Sequence, residues 1–249
     1  MEPIDGHATL AELDAVADDL AWLDPAPFFF GASVLPLYLD DGTLSEEARP
    51  TDDVDVLIAV VAPGPMHLVT ANLEAGLRAR GWTHDLRPGR KNIHAFVTPS
   101  GVPVDLVLHR PCGPSVDAVT VEDWPLRASS APMLVHRTDE RILRVPTPAY
   151  FLACKIAASR NPQRWSGPHD AKDVEDIALL LAGCGRVLDT ARPGPPELRA
   201  MLTAWATEVR SGSTTYGKNV RELLLANAPR SVSADMIIER LAALASMAA

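Results

Sequence analysis

The sequence predicts an α/β (α+β) chain, with strands and helices mixed over residues 1–145 and helices alone over residues 146–249. Three observations carry this. The run "VDVLIAVV" from Val54 is apolar on both alternating faces, as a strand covered on both sides must be. The runs "NIHAFVT" and "VPVDLVLHR" alternate and are joined by "PSG", a hairpin signal. Beyond Pro148 the apolar residues recur at helical spacing through to the C-terminal segment.

Taken in order, residues 8–23 place Leu10, Leu13, Val16, Leu20 and Leu23 three and four apart, which predicts an amphipathic helix with an acidic outer face. "PAPFFFGAS" predicts a short extended segment ending at Gly31. "SVLPLYLDDG" predicts a short helix with Ser33 as N-cap and Pro36 in its first turn. Residues 40–50 read as a polar connection. After the strand from Val54, Met66, Val69, Leu73 and Leu77 predict a helix that stops at Gly81. The hairpin follows, and residues 111–146 read as Pro-rich and irregular apart from a strand pair in "APMLVHRTDERILRVP". "PAYFLACKIAASR" is apolar almost all round, "DAKDVEDIALLLAG" is a capped helix, and 195–210, 216–227 and 232–247 complete the helical lobe.

At 249 residues the chain can bury a sizeable core. Three widely spaced cysteines, Cys112, Cys154 and Cys184, predict reduced thiols rather than a disulfide framework or a zinc site. No window approaches the roughly 20 apolar residues of a membrane span, so a cytoplasmic protein without a membrane partner is expected. The net charge of −9 disfavours broad nucleic-acid binding. Its distribution is uneven: residues 1–75 carry 15 acids against Arg49 alone, whereas residues 76–165 carry 13 Lys/Arg against 7 acids. A cationic middle beside an acidic start could hold a polyanion near metal-binding carboxylates. Within it, "RPGRKN" packs Arg87, Arg90 and Lys91 into one turn.

The chemistry-bearing residues lie at the strand starts. In "RPTDDVDVLIAV", Asp53 and Asp55 point to one face of the strand, with Cα atoms about 6–7 Å apart. Like charges that close raise each other's pKa unless a cation lies between them; solvated loop acids are the plain alternative. A third acid, Asp105, alternates with Val104 and Leu106 in the second hairpin strand. If the strands are neighbours, the three carboxylates converge on a patch suited to a pair of Mg²⁺ ions, which favour carboxylate and phosphate oxygens. Two ions about 3.5–4 Å apart stabilise both oxygens of a nucleotidyl transfer. Gly31 permits close backbone approach, and a helix opened by Ser33 would attract a phosphate. His84, His94 and His109 lack metal spacing with any cysteine and read as packing or surface residues. Neither a P-loop nor a dinucleotide fingerprint is present.

In this order the motifs "FGASVLPLYL…RPTDDVDVLIAV…VDLVLH" resemble the DNA polymerase β-type nucleotidyltransferase superfamily, with its glycine–serine helix start, D-x-D strand and later third Asp. "VPTPAYFLACKIAASR…KDVEDIALLLAG" is similar, more narrowly, to the stand-alone bacterial nucleotidyltransferases that include toxins of toxin–antitoxin pairs. Many relatives have a second glycine where this chain has Phe30.

The resemblance implies a nucleotidyltransferase fold, a mixed sheet flanked by helices, with the catalytic lobe in residues 1–145. It implies Mg²⁺-dependent transfer of an NMP from an NTP. Asp53 and Asp55 become metal ligands, and Asp105 a third ligand or the base that activates the acceptor hydroxyl. Gly31 and Ser33 become phosphate contacts. Lys155 would reach the triphosphate, since a buried lysine needs an anion, or else it snorkels at a helix edge. Asp173 and Asp176 lie one turn apart; Asp173 heads the D-x-x-D and is preferred to Asp170 as the functional acid, with capping as its plain alternative. The favoured acceptor is an RNA 3′ end, tRNA in particular, with an antitoxin protein as a partner. A small molecule such as an antibiotic, a protein acceptor, and a catalytically silent nucleotide- or partner-binding role are the alternatives.

Overall fold

The structure, a computed structural model, describes residues 10–47, 51–59, 66–86, 94–109, 124–137, 141–161 and 172–247. It is mixed α/β and divides into two compact units. The first comprises Met1–Val34, Pro50–Ala118 and Pro132–Val145; the second comprises Leu35–Arg49, Val119–Ala131 and Pro146–Ala249.

The first unit is built on a seven-stranded mixed sheet in the order β3-β4-β5-β2-β1-β7-β6. Its strands are β1 (Phe28–Phe30), β2 (Val54–Ala59), β3 (Thr83–His84), β4 (Ala95–Val97), β5 (Pro103–His109), β6 (Met133–His136) and β7 (Ile142–Val145). The pairs β2/β5 and β1/β7 are parallel and the others antiparallel. Val54, Val56, Val104 and Leu106 are buried on one face of the central pair, and Leu57 is buried on the other. Apolar residues on both faces thus follow from burial on both faces. The β4–β5 turn closes through Thr98 N–H to Val102 O at 2.9 Å, with Gly101 at φ 90°.

Among the described residues of this unit, two helices flank the sheet. Helix α1 (Leu10–Asp19) buries Leu13 and Val16. Two acids of its outer face are paired: Arg137 Nε donates to Asp14 at 3.2 Å and Arg141 Nε to Asp18 at 2.8 Å, which ties the helix to the β6–β7 hairpin. Helix α3 (Met66–Ala79) buries Leu73 and Leu77. It ends in a Schellman turn, Gly81 N–H to Arg78 O at 2.9 Å and Trp82 N–H to Leu77 O at 3.1 Å, with Gly81 at φ 84° as the expected stop.

The second unit is helical: α2 (Gly42–Glu47), α4 (Trp124–Ser130), α5 (Pro148–Ser159), α6 (Lys172–Gly183), α7 (Val187–Ala191), α8 (Pro196–Ser211), α9 (Thr215–Ala226) and α10 (Ala234–Ala245). Thr147 caps α5, its hydroxyl accepting Tyr150 N–H at 3.4 Å with Pro148 opening the first turn. Nine of the twelve residues of α5 and ten of the twelve of α6 are buried, Lys155, Asp173 and Asp176 among them.

Three expectations are corrected. Ser33 does not cap an α-helix; Ala32–Leu37 is a 3₁₀ turn that opens one residue earlier, so Ser33 lies inside it. Residues 40–50 are not simply a connection, because Gly42–Glu47 is helical and Leu44 is buried against α6, where a Cβ on Gly183 would stand 2.9 Å from Leu44 Cδ1. Residues 111–146 contain α4, held by buried Trp124 and Ala128, with the Trp124 ring 6.2 Å from that of Tyr150.

Candidate functional site

Residues paired laterally in a sheet share a face. The register sets Phe30 against Asp55, Asp55 against Asp105, and Asp105 against Ala95. Asp55 and Asp105 are therefore side by side on adjacent parallel strands, whose backbones lie about 4.8 Å apart across the sheet, and both are half-buried. The Oδ1 atom of Asp105 is buried. A large ring on one side and a small Ala95 on the other bound this two-carboxylate row.

The turn after β1 closes the row. Gly31 adopts φ 75°, and a Cβ there would fall 1.9 Å from Asp55 Oδ2 and 2.8 Å from its Cγ. Only a glycine satisfies both the left-handed backbone and the contact. Ser33, 3% exposed, donates its hydroxyl to Phe30 O at 3.3 Å and so ties the turn to the end of β1. The sequence expected Gly31 to let a phosphate approach; what the backbone approaches here is the Asp55 carboxylate. Asp53 lies one residue ahead of β2 and is half-buried, beside exposed Asp52, and Thr51 Oγ1 donates to Asp53 O at 3.1 Å.

The histidines lie elsewhere. His84 stacks on Phe96 with centroids 4.5 Å apart, and Glu74 of α3 stands 3.9 Å from His84 Nε2 and 4.0 Å from His94 Nδ1. Phe96 pairs with Val104, so by alternation α3 covers the face opposite to Asp55 and Asp105. The acidic row is on the face that α3 leaves clear.

In the second unit, Lys155 projects from α5 between two acids of α6. Its Nζ is 2.6 Å from Asp176 Oδ2 and 3.3 Å from Asp173 Oδ1, with side-chain exposures of 10%, 2% and 10% in that order. Phe151 adds a ring face 5.6 Å from the ammonium. The buried lysine has the anions it needs, and they come from the protein. Neighbouring Cys154 has its thiol pushed up to about 12 by burial, against the pull of the Lys155 charge. Both described cysteines, Cys154 and Cys184, are free thiols.

Among the described residues no group of three or more His, Cys, Asp and Glu side chains could hold a metal ion by itself. The Asp55–Asp105 pair nonetheless fits Mg²⁺ in donor chemistry, because that ion is usually held by one or two hard carboxylates, with waters and substrate phosphates completing its shell. Asp170 and the turn cations Arg87, Arg90 and Lys91 lie outside the described residues. The sequence reading missed that Phe30 and Ala95 flank the pair; the "PSG" turn sets Val97 against Pro103, hence Ala95 against Asp105, so that neighbour was available by counting. Set beside known proteins, the chain matches no family model and no curated protein.

Proposed function

We propose that the protein is a Mg²⁺-dependent nucleotidyltransferase that moves a nucleoside monophosphate from an NTP to an acceptor hydroxyl. The observation that supports this reading is the register of β2 on β5, with Asp55 beside Asp105 and the Gly31 backbone pressed against the Asp55 carboxylate. Such a pair is costly without a cation, because directly opposed like charges destabilise a sheet. Asp55 and Asp105 would hold the metal, and Asp53, which the structure does not group with them, is proposed to join them when the ion binds. Bound there, Mg²⁺ supplies positive charge to the triphosphate and to the oxygens of the phosphoryl transfer.

The chain's own residues have separate tasks. Asp105 either completes the ligand set or accepts the proton of the acceptor hydroxyl. Gly31 and Ser33 shape the turn that keeps Asp55 in place and so act on the phosphate through the metal that Asp55 would hold. Lys155, with Asp173 and Asp176, forms a second polar centre, and the nucleotide is its proposed ligand. An RNA 3′ end, tRNA in particular, is the proposed acceptor, supported by the excess of cations over residues 76–165 and by the toxin-like motif order of the second half. An antitoxin is the corresponding partner.

Purified protein incubated with Mg²⁺, each labelled NTP in turn, total RNA and a panel of hydroxylated antibiotics tests this directly. Labelled RNA that disappears in Asp55→Asn supports the reading. Labelled antibiotic moves the acceptor to a small molecule, labelled protein to a protein, and no label with any acceptor leaves a silent binding protein and overturns the enzymatic reading.

A further inference from the structure

In the second unit, α9 and α10 both pack on α8, and between the three helices lies a cavity of about 400 Å³. It is two-sided in its chemistry. Leu224 of α9 and Leu241 of α10 are buried at its floor, with Leu225 and Ile238 as walls, and Ile238 is 41% exposed. The remaining lining is polar and cationic: Thr207, Arg210 and Ser211 from the last turn of α8, and Arg221 from α9. Arg221 Nη1 donates to the Arg210 carbonyl at 3.3 Å, which brings its guanidinium to the end of α8. Among the described residues neither Arg210 nor Arg221 is paired with a carboxylate.

We infer that this cavity is a binding site for a small amphipathic anion, a carboxylate or phosphate monoester carrying an aliphatic chain. The volume lies within the range of small-molecule sites. The head meets two guanidinium groups, whose planar forks suit carboxylate and phosphate, and the Thr207 hydroxyl. The chain covers Leu225 and Ile238, whose accessible apolar surface it removes from water. The C-terminal end of α8 carries a partial negative charge of about half a unit, which opposes an anion, but two full positive charges outweigh it. The site is independent of the Asp55–Asp105 pair.

Sodium decanoate is the test ligand, with decanol and inorganic phosphate as chain-only and charge-only controls. The readout is the methyl NMR spectrum of the intact chain. Decanoate should shift the Leu225 and Ile238 methyls saturably and bind at least tenfold more tightly than either control. The double variant Arg210→Gln/Arg221→Gln should lose about that factor, and Ile238→Glu, at an exposed position, should block decanoate while leaving the rest of the spectrum unchanged. Equal binding of decanol, binding that survives both variants, or no saturable shift overturns the inference. If the arginine variant fails to fold, Ile238→Glu decides alone.

Discussion

The Gly31 backbone is the wall of the Asp55 carboxylate: at φ 75°, a Cβ on residue 31 would lie 1.9 Å from Asp55 Oδ2. Gly31→Ala therefore carries two penalties. The left-handed backbone costs about 1–2 kcal/mol for a residue with a Cβ, and the carboxylate must move. The variant should unfold at lower urea by that amount and should lose the stabilisation that Mg²⁺ gives the wild type. Urea titrations with and without Mg²⁺ check both. A variant equal to the wild type in both measurements would mean that the turn neither needs glycine nor positions Asp55.

Asp55 and Asp105 are direct neighbours on parallel strands. In EDTA, Asp55→Asn or Asp105→Asn should raise stability by about 0.2–1 kcal/mol, the size of a cross-strand pair term. Added Mg²⁺ should stabilise the wild type, following the ordinary linkage between binding and folding, and should leave both variants unchanged. Nucleotidyl transfer should vanish in each. Loss of stability in EDTA would make the two acids structural, and transfer at the wild-type rate would remove them from the metal site.

The Cys154 thiol gives a pH dependence of known sign. Burial pushes it from 9.0 to about 12, although Cys154 as a residue is only half-buried. Between these values the unfolded thiol has released its proton and the folded one has not, so stability falls as pH rises from about 9 to about 12. Tyr38, raised above 10.0 chiefly by burial, acts in the same direction. In a Cys112→Ser background at pH 8, Cys154 and Cys184 should resist a thiol-specific disulfide reagent in native buffer and react fully in urea. Rapid reaction of Cys154 in the native protein would contradict its burial.

What the sequence could reveal tracks the length of each periodic pattern. The strands around Val54 and Val104 and helices α5, α6, α8, α9 and α10 were legible because several apolar residues repeat in each. The two-residue β3 and the five- to seven-residue α2, α4 and α7 were not, since so short a span holds one or two buried side chains such as Leu44 or Trp124 and no measurable period. At the site, the alternation of Asp55 and Asp105 was readable, but their pairing was not: it depends on which strands adjoin. The partners of Lys155 were in view as well. A lysine on an apolar helix and a D-x-x-D on the next could have been joined, because each is costly to bury alone.

The Lys155 cluster separates a structural from a nucleotide-binding role. Its Nζ is 2.6 Å from Asp176 Oδ2, and both side chains are at least nine-tenths buried. Removing the cation breaks two buried ion pairs at once, so Lys155→Ala should cost about 3–5 kcal/mol of stability in urea. Transfer should fall by one to two powers of ten, the loss of a charge-assisted contact of about 1.5–3 kcal/mol. Lys155→Arg should not restore it fully, because a planar fork does not fit a site shaped for a compact ammonium. The decisive variant is the triple Lys155→Ala/Asp173→Asn/Asp176→Asn, which removes both carboxylate charges together with the cation. Stability should return towards the wild-type value while the apparent KM for NTP stays raised. Return of both would reduce Lys155 to a counter-ion for its two aspartates, and return of neither would show that the cluster holds α5 to α6 through its hydrogen bonds.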